Sequence, residues 1–313
     1  MSQRSVLAAG PLAALTGLGH KARARTALAE ETHPPLGGLL NIDGTKVHFT
    51  DQGNGPVLVL IHGAGGNLRD FTFELADKMA KTNRVIAFDR PGHGYTDRLH
   101  AKGESPLEQA EILAKALARL GVEQATICGY SLGGAVALAW ALMAPQTVQG
   151  LLLISAVSHP WPGGVGLLYA TAAHLVTAPL VIPGISAFAP DRLVKSTLES
   201  VFRPLDPPKG YLDYIGAGLS LRPHSVLANA RQVYHLKANV QAMARRYAQL
   251  TMPIEILHGE EDRSVYASIH AEQLVHEAKN ARYTALPGIG HSPHHHSHDE
   301  ILTALARLNA LQN

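Results

Sequence analysis

A serine at the apex of a predicted tight turn is the residue best suited to nucleophilic chemistry in this chain. Ser131 lies in the pattern G-x-S-x-G at residues 129–133, between a short apolar run at 125–128 and a run of small residues at 132–143. That order predicts a strand, a turn and a helix. Such a turn strains the backbone of the serine and exposes its hydroxyl at the sheet edge. The context favours a nucleophile, although the pattern alone is common by chance.

A serine hydroxyl needs a base to take its proton, and the base needs an acid to orient it. Asp262 and His291 each follow a predicted strand, so the chain order is Ser, Asp, His. Polar groups of an open α/β sheet converge at the carboxyl ends of its strands. The residues alone leave alternatives open, since Asp262 could instead cap a helix near Ser264, and Glu260 and Glu261 are rival acids.

Several other histidines follow His291, namely His294, His295, His296 and His298. His291 could therefore belong to a solvated or adventitiously metal-binding tract. Structural zinc sites draw on more widely spaced ligands with thiolate or acidic partners, so we expect neither a functional metal nor a cofactor.

A glycine-rich loop at residues 62–66 follows another predicted strand. Acyl transfer requires two N–H groups aimed at the developing oxyanion. The backbone N–H groups of Leu132, next to the nucleophile, and Ala64, in this loop, are the expected oxyanion hole. An ordinary turn or a phosphate-binding loop would be the alternatives, but neither phosphate-binding glycine pattern follows a strand here.

Elements that could position these groups alternate along the chain. A hairpin is predicted at 41–51, strands at 56–61, 84–88, 149–154, 252–258 and 281–286, and helices at 68–80, 105–120, 265–278 and 298–311. Alternating strands and helices indicate a mostly parallel sheet flanked by helices. The alternation stops over 156–247, where no buried-strand run occurs, so the expected fold class is α/β with an inserted helical cap.

The predicted organisation has four parts. These are an N-terminal tail or weak membrane anchor at 1–32, a first core part at 33–155, the cap at 156–247 and a second core part at 248–313.

Five motifs in this order resemble the α/β-hydrolase fold family. They are H-G-A-G-G at 62–66, D-R-P-G-H-G at 89–94, G-Y-S-L-G-G at 129–134, H-G-E-E-D at 258–262 and G-H at 290–291. The resemblance covers roughly residues 38–312. It implies Ser131 as nucleophile, His291 as general base and Asp262 as orienting acid, and a structural role for Asp89 and His93.

The resemblance leaves several activities open. A serine nucleophile argues against epoxide hydrolases and haloalkane dehalogenases, which carry aspartate at that position. Carboxylesterases, lipases, lactonases, carbon–carbon bond hydrolases of dienoic ring-cleavage products and perhydrolases share one triad. A related branch associated with bacteriochlorophyll synthesis adds non-catalytic binding. We expect hydrolysis of a small or medium apolar ester, with the carbon–carbon hydrolase and the binding protein as alternatives.

The cap supplies the only clue to specificity. Residues 160–190 hold many apolar side chains and neither an acid nor an arginine, which suits cap packing, an apolar substrate lining or a lid that touches lipid. Tyr130, Trp161 and Tyr169 are the expected pocket walls. An anionic dienoate would instead need an arginine clamp, for which the cap offers Arg192, Arg203, Arg222 and Arg231.

Composition restricts the partners and leaves the compartment open. The net charge of +2 and the scattered basic residues give no indication of nucleic-acid binding. The lone Cys128 lies in a predicted buried strand and implies no disulfide. Residues 5–19 are apolar but shorter than the roughly 20 residues of a spanning helix. We expect a cytoplasmic protein with weak membrane-surface contact through residues 5–25, or export if residues 1–29 act as a signal.

Overall fold

Eight strands form a single sheet in the order β1-β2-β4-β3-β5-β6-β7-β8 in this computed structural model, which describes residues 9–311. β1 and β2 pair antiparallel, as do β2 and β4, and all other pairs are parallel. The strands are β1 (Gly38–Ile42), β2 (Thr45–Gln52), β3 (Val57–Ile61), β4 (Arg84–Phe88), β5 (Ala125–Tyr130), β6 (Val148–Ile154), β7 (Ile254–Gly259) and β8 (Ala281–Leu286).

The continuous apolar runs of the central strands are explained by burial on both faces of the sheet. In β3, Val59 and Ile61 belong to one buried apolar cluster, whereas Leu58 and Leu60 belong to a second cluster on the opposite face. Successive side chains of a strand point to opposite faces, so a strand covered by helices on both sides must be apolar throughout. The α/β fold class predicted from the sequence is confirmed.

Helices outside the cap cover these two faces. They are α2 (Arg69–Thr72), α3 (Leu75–Met79), α4 (Pro106–Arg119), α5 (Leu132–Met143), α12 (Ala271–Glu277), α13 (Pro293–His296) and α14 (His298–Ala310). Two predicted helices differ from those observed. The stretch 68–80 forms two short helices, and the helix expected at 265–278 begins only at Ala271.

The chain between β6 and β7 contains six helices and supplies the cap. These are α6 (Leu167–Ala173), α7 (Ala178–Phe188), α8 (Asp191–Phe202), α9 (Tyr211–Tyr214), α10 (Ala217–Ser220) and α11 (Pro223–Ala244). The long α11 contacts α5, α6 and α7, so it connects the cap to the helix that follows Ser131.

A helix occupies most of the segment that was expected to be a tail. Helix α1 (Ala9–Thr32) contacts α7 and α10, whereas residues 1–8 of the predicted tail lie outside the described residues. The Arg25 guanidinium donates to Ala189 O at 2.9 Å and pairs with Asp191. Within residues 9–311 no single helix has the length and hydropathy of a membrane span. Helices α6 and α7 together have that length and hydropathy, but the pair is bent by 116°.

Candidate active site

Ser131 stands at the sharp turn between β5 and α5 that the sequence predicts. Its backbone angles are φ 53° and ψ −119°, a strained conformation for a residue with a side chain. A Cβ at Gly129 would lie 2.4 Å from Gly133 O, and one at Gly133 would lie 2.1 Å from Ile61 O. Both positions therefore exclude any larger residue, which explains the two glycines of the pattern.

The three residues expected to form a triad are connected in series by hydrogen-bond contacts, from Asp262 through His291 to Ser131. His291 Nε2 is 3.0 Å from Ser131 Oγ, and His291 Nδ1 is 2.7 Å from Asp262 Oδ2. Asp262 follows β7 and His291 follows β8, so neighbouring parallel strands deliver both side chains to one edge of the sheet. This arrangement can remove a proton from the serine hydroxyl and stabilise the resulting imidazolium.

The two oxygens of Asp262 have different partners. Oδ1 accepts the backbone N–H groups of Ser264 and Val265 at 2.8 and 2.9 Å, so the capping interpretation also describes a real contact. Oδ2 faces His291 and His258. Burial alone would raise the pKa of Asp262, but the charge of His291 and the two histidine hydrogen bonds outweigh it and hold the pKa well below its usual range. The group is therefore a carboxylate at neutral pH.

The glycine-rich loop runs directly beside the nucleophile. A Cβ at Gly63 would lie 2.9 Å from the Tyr130 ring and 3.2 Å from Ser131 Cβ. Ala64, the next residue, and Leu132 both line the cavity that contains Ser131. Leu132 is also the first residue of α5, where backbone N–H groups have no acceptor within the helix.

Residues that the sequence analysis did not identify hold this loop in place. Arg90 is fully buried and donates to His62 O at 2.9 Å and to Gly63 O at 2.7 Å. Asn229 of α11 accepts the Gly65 N–H at 2.8 Å, so the cap also fixes the loop. No sequence signal indicated Asn229, because its partner is more than a hundred residues away.

A cavity of about 690 Å³ opens onto the serine and the histidine. All three side chains expected to be pocket walls, Tyr130, Trp161 and Tyr169, line it. His270 also lines it and was not anticipated. Among the described residues that line it there is no lysine or arginine.

The cap arginines that could have clamped an anionic substrate have other partners or positions. Arg222 pairs with Glu30, and Arg231 donates to the backbone oxygen of Ala173. Arg203 lines a neighbouring pocket that touches His291, and Arg192 is exposed.

A second, smaller cavity of about 290 Å³ lies on the other side of Ala64 and Tyr130. Its walls include Ile185 and Leu193 of the cap and Asp70 of the core. The two cavities share Ala64, Tyr130 and Val201, so both border the same glycine-rich loop.

The histidine tract after His291 is largely buried, which corrects the interpretation of a solvated tract. His294 and His295 each approach Asp70 Oδ1 through Nε2, at 3.1 and 3.0 Å, and the Tyr211 hydroxyl donates to the same oxygen at 2.7 Å. Burial opposes ionisation of Asp70, but His294 and His295 outweigh it and hold the pKa of Asp70 well below its usual range. The three ligand atoms of Asp70, His294 and His295 lie within 4.8 Å of one another, so this set could hold a transition-metal ion.

With the sheet order, the inserted cap and the turn at Ser131 established, comparison with known proteins identifies the class. The chain has the α/β-hydrolase fold, and the model of that family, described as alpha/beta hydrolase fold, matches residues 56–176. Four curated relatives that are more than 30% identical are matched over 31% to 50% of their own length.

Particular relatives illustrate the range of the family. A 2-hydroxymuconate semialdehyde hydrolase of Pseudomonas putida is 34% identical over 140 residues, which cover 44% of this chain and 50% of that protein. The esterase RhEst1 from Rhodococcus sp. ECU1013 superposes with a TM-score of 0.66 at 22% identity, over 87% of this chain and 98% of its own. A bacterial membrane phospholipase A superposes over 100% of both chains with a TM-score of 0.69 at 19% identity.

Proposed function

We propose that this protein is a serine hydrolase that cleaves carboxylic esters with apolar substituents. The observation that carries the proposal is the continuous contact from Asp262 through His291 to Ser131, at 2.7 and 3.0 Å, beside a cavity of about 690 Å³. The matched proteins include a hydrolase and an esterase, which supports hydrolysis as the reaction class.

In the first half of the proposed reaction, Ser131 Oγ attacks the ester carbonyl carbon while His291 Nε2 takes the hydroxyl proton. The Leu132 and Ala64 N–H groups stabilise the oxyanion of the tetrahedral intermediate. His291 then gives its proton to the departing alcohol, which leaves an acyl group on Ser131. Asp262 holds the imidazole with its proton on Nδ1 throughout.

Water completes the second half of the reaction. His291 removes a proton from a water molecule that attacks the acyl carbonyl, and a second tetrahedral intermediate forms in the same oxyanion hole. Its collapse releases the carboxylic acid and returns the proton to Ser131. This sequence requires no cofactor.

The lining of the larger cavity favours esters over dienoic ring-cleavage products. Aromatic and aliphatic side chains dominate its walls, and its described lining offers no lysine or arginine to bind a carboxylate. Carbon–carbon bond hydrolysis of a dienoic ring-cleavage product is therefore the second candidate, and the similarity to a 2-hydroxymuconate semialdehyde hydrolase of Pseudomonas putida keeps it open. Arg203 and Arg263, which line the neighbouring pocket together with His291, are the cations that it would use.

Labelling by a fluorophosphonate probe tests the proposal, because the probe reacts only with an activated serine. We expect mass spectrometry to find the adduct on Ser131 of the wild-type protein and to find little on the His291→Gln variant. Ser264, which also lines the cavity, provides the matched control, and Ser264→Ala should be labelled at the wild-type rate. A wild-type protein that is not labelled would contradict the proposal and favour a non-catalytic binding protein on the same fold.

A further inference from the structure

The tip of the cap carries an unusually apolar exposed surface. Five large side chains between residues 167 and 180 are 63–80% exposed, and we call them the cap-tip surface: Leu167, Leu168, Leu175, Val176 and Leu180. They occupy α6, α7 and the four-residue connection between these two helices, which contact each other. Residues 160–190 contain no Asp, Glu, Lys or Arg, so no charged side chain of that segment interrupts this surface.

This concentration is specific to one side of the molecule. Of the fourteen large apolar side chains classed as exposed within residues 17–311, seven lie between residues 167 and 193, since Phe188 and Leu193 join the five of the cap tip. Single exposed apolar residues are normal on soluble proteins, whereas a contiguous group marks an interaction site.

Helix α1 leads the N-terminal part of the chain toward the same surface. Arg25 contacts the backbone oxygen of Ala189, Lys21 lies 4.2 Å from the centre of the Phe188 ring, and Gly19 lines the same pocket as Pro183. Earlier residues of α1 thus meet earlier residues of α7, so the backbone of the first turns extends toward the start of α7, next to the cap tip. The sequence of these first turns, residues 9–19, is itself apolar.

We propose that the cap-tip surface docks on a phospholipid bilayer. Helices that lie in a bilayer interface combine an apolar face with flanking cations. Lys21 and Arg23 are both exposed on α1, which packs against α7, and their charge suits anionic headgroups. The apolar sequence of the first turns of α1, residues 9–19, favours a bilayer over a second copy of the chain, because a bilayer accommodates both apolar parts at once.

Docking in this orientation would bring both cavities close to the lipid. Tyr169, the residue after the exposed Leu168, lines the cavity of Ser131, and Leu193 lines the smaller cavity. The inference goes beyond the proposed function, since binding to a bilayer does not require catalysis. It can therefore fail or succeed independently of the ester-hydrolase proposal.

Vesicle flotation with the full chain carrying Ser131→Ala tests the inference. Vesicles of phosphatidylcholine alone and of phosphatidylcholine mixed with phosphatidylglycerol serve as probes. We expect the protein to float with both and more strongly with the anionic mixture. The combined variant L175E/V176E/L180E should lower the partition coefficient roughly tenfold or more, because three apolar side chains that would enter the bilayer are replaced by charged ones.

A matched triple variant elsewhere on the surface controls for added charge. L39E/L107E/L311E changes three exposed leucines outside the cap and should float like the parent protein. Both variants should retain the melting temperature of the parent, because all six side chains are exposed. The proposal is overturned if the parent stays off both vesicles, if the cap-tip variant floats undiminished through its N-terminal segment alone, or if the cap tip instead supports a concentration-dependent dimer without vesicle binding.

Discussion

Asp262 shows how one buried side chain serves both the fold and the proposed chemistry. Its Oδ1 accepts two backbone N–H groups of the turn after β7, and its Oδ2 faces His291 at 2.7 Å. The backbone contacts fix the carboxylate before it meets the imidazole, so the orientation of His291 depends on the turn as well as on the charge.

Replacing Asp262 with asparagine is expected to lower kcat for ester hydrolysis by roughly 10³–10⁴-fold with little change in KM. An amide cannot hold the imidazole with its proton on Nδ1 or stabilise the imidazolium. Glu261→Gln, one residue away and exposed, should leave both parameters unchanged. Steady-state kinetics on a p-nitrophenyl ester would measure the change, and a Glu261→Gln variant that loses more activity than Asp262→Asn would contradict the assignment.

Sequence order brought Ser131 and His291 together with an acid after β7, because parallel strands deliver their carboxyl ends to one edge of a sheet. The choice of Asp262 over Glu260 and Glu261 came from the family resemblance. The residues that support the triad could not be found in this way. Asn229 and Asp70 contact residues that are more than a hundred positions away in the sequence. Neither the glycine that bonds to Asn229 nor the histidine that bonds to Asp70 lies in a pattern that indicates the contact.

At the scale of elements, the start of the cap is tied to the core beside α12. His270 Nδ1 accepts the backbone N–H groups of Ser158 and His159 at 3.2 and 3.1 Å, and the Ser158 hydroxyl donates to His270 O. An acceptor nitrogen must be unprotonated. Burial first, and the charges of His258 and His159 next, lower the pKa of His270 to about 3.

This histidine predicts that the protein loses stability as the pH falls. The pKa of the His270 imidazole is near 6.5 in the unfolded chain and about 3 in the folded protein. Between these two pH values the unfolded chain therefore binds a proton that the folded protein does not. The contribution of unprotonated His270 to the unfolding free energy is complete above pH 6.5, and it declines by up to about 1.4 kcal/mol per pH unit as the pH falls below that value.

His270→Asn should make the dependence of the unfolding free energy on pH shallower between pH 6.5 and 5, because the asparagine oxygen accepts the same N–H groups and does not titrate. Urea unfolding at several pH values would measure it. The exposed His276 on α12 provides the control, and His276→Asn should keep the wild-type slope. An unchanged slope in the His270 variant would show that this group does not drive the acid sensitivity.

The sequence predicted the strands of the core well and its flanking elements less well. β4 and β8 have the bounds that the sequence indicated. Burial of Val85 to Phe88 on the sheet enforces the apolar pattern of β4, whereas β8 is an edge strand in which only Leu286 is buried. The stretch 68–80 breaks into α2 and α3, and residues 263–270 form turns that Asp262 stabilises. Helix α1 was not foreseen as a helix, since its contacts with α7 and α10 are tertiary and its sequence contains Gly10, Gly17 and Gly19.

At the scale of the whole molecule, Arg90 joins the sheet, a flanking helix and the cap. Besides its bonds to the loop at 62–63, it donates to Gln109 of α4 at 2.9 Å and to Gln232 of α11 at 2.7 Å. Burial lowers the pKa of Arg90 to about 9, so the guanidinium remains charged at neutral pH. The first part of the core and the cap therefore meet at one buried cation.

Arg90→Met is expected to lower the unfolding free energy by about 3 kcal/mol or more, because it leaves several buried oxygens without a donor. Calorimetry should show a lower Tm for the cap and the core together. The exposed Arg119 supplies the control, and Arg119→Met should melt like the wild type. If Arg90→Met melted at the wild-type temperature, the proposed connection between cap and core would be wrong.

The most direct measurement of the central claim is the hydrolysis of p-nitrophenyl esters of graded acyl length by the wild-type protein and by Ser131→Ala. We predict turnover by the wild-type protein that depends on acyl length, as a bounded apolar cavity of about 690 Å³ requires. The variant should fall to the background rate at every length while retaining the wild-type Tm. Equal turnover by the two proteins, or no turnover of any ester by the wild type, would contradict the proposal that Ser131 is the nucleophile of an ester hydrolase.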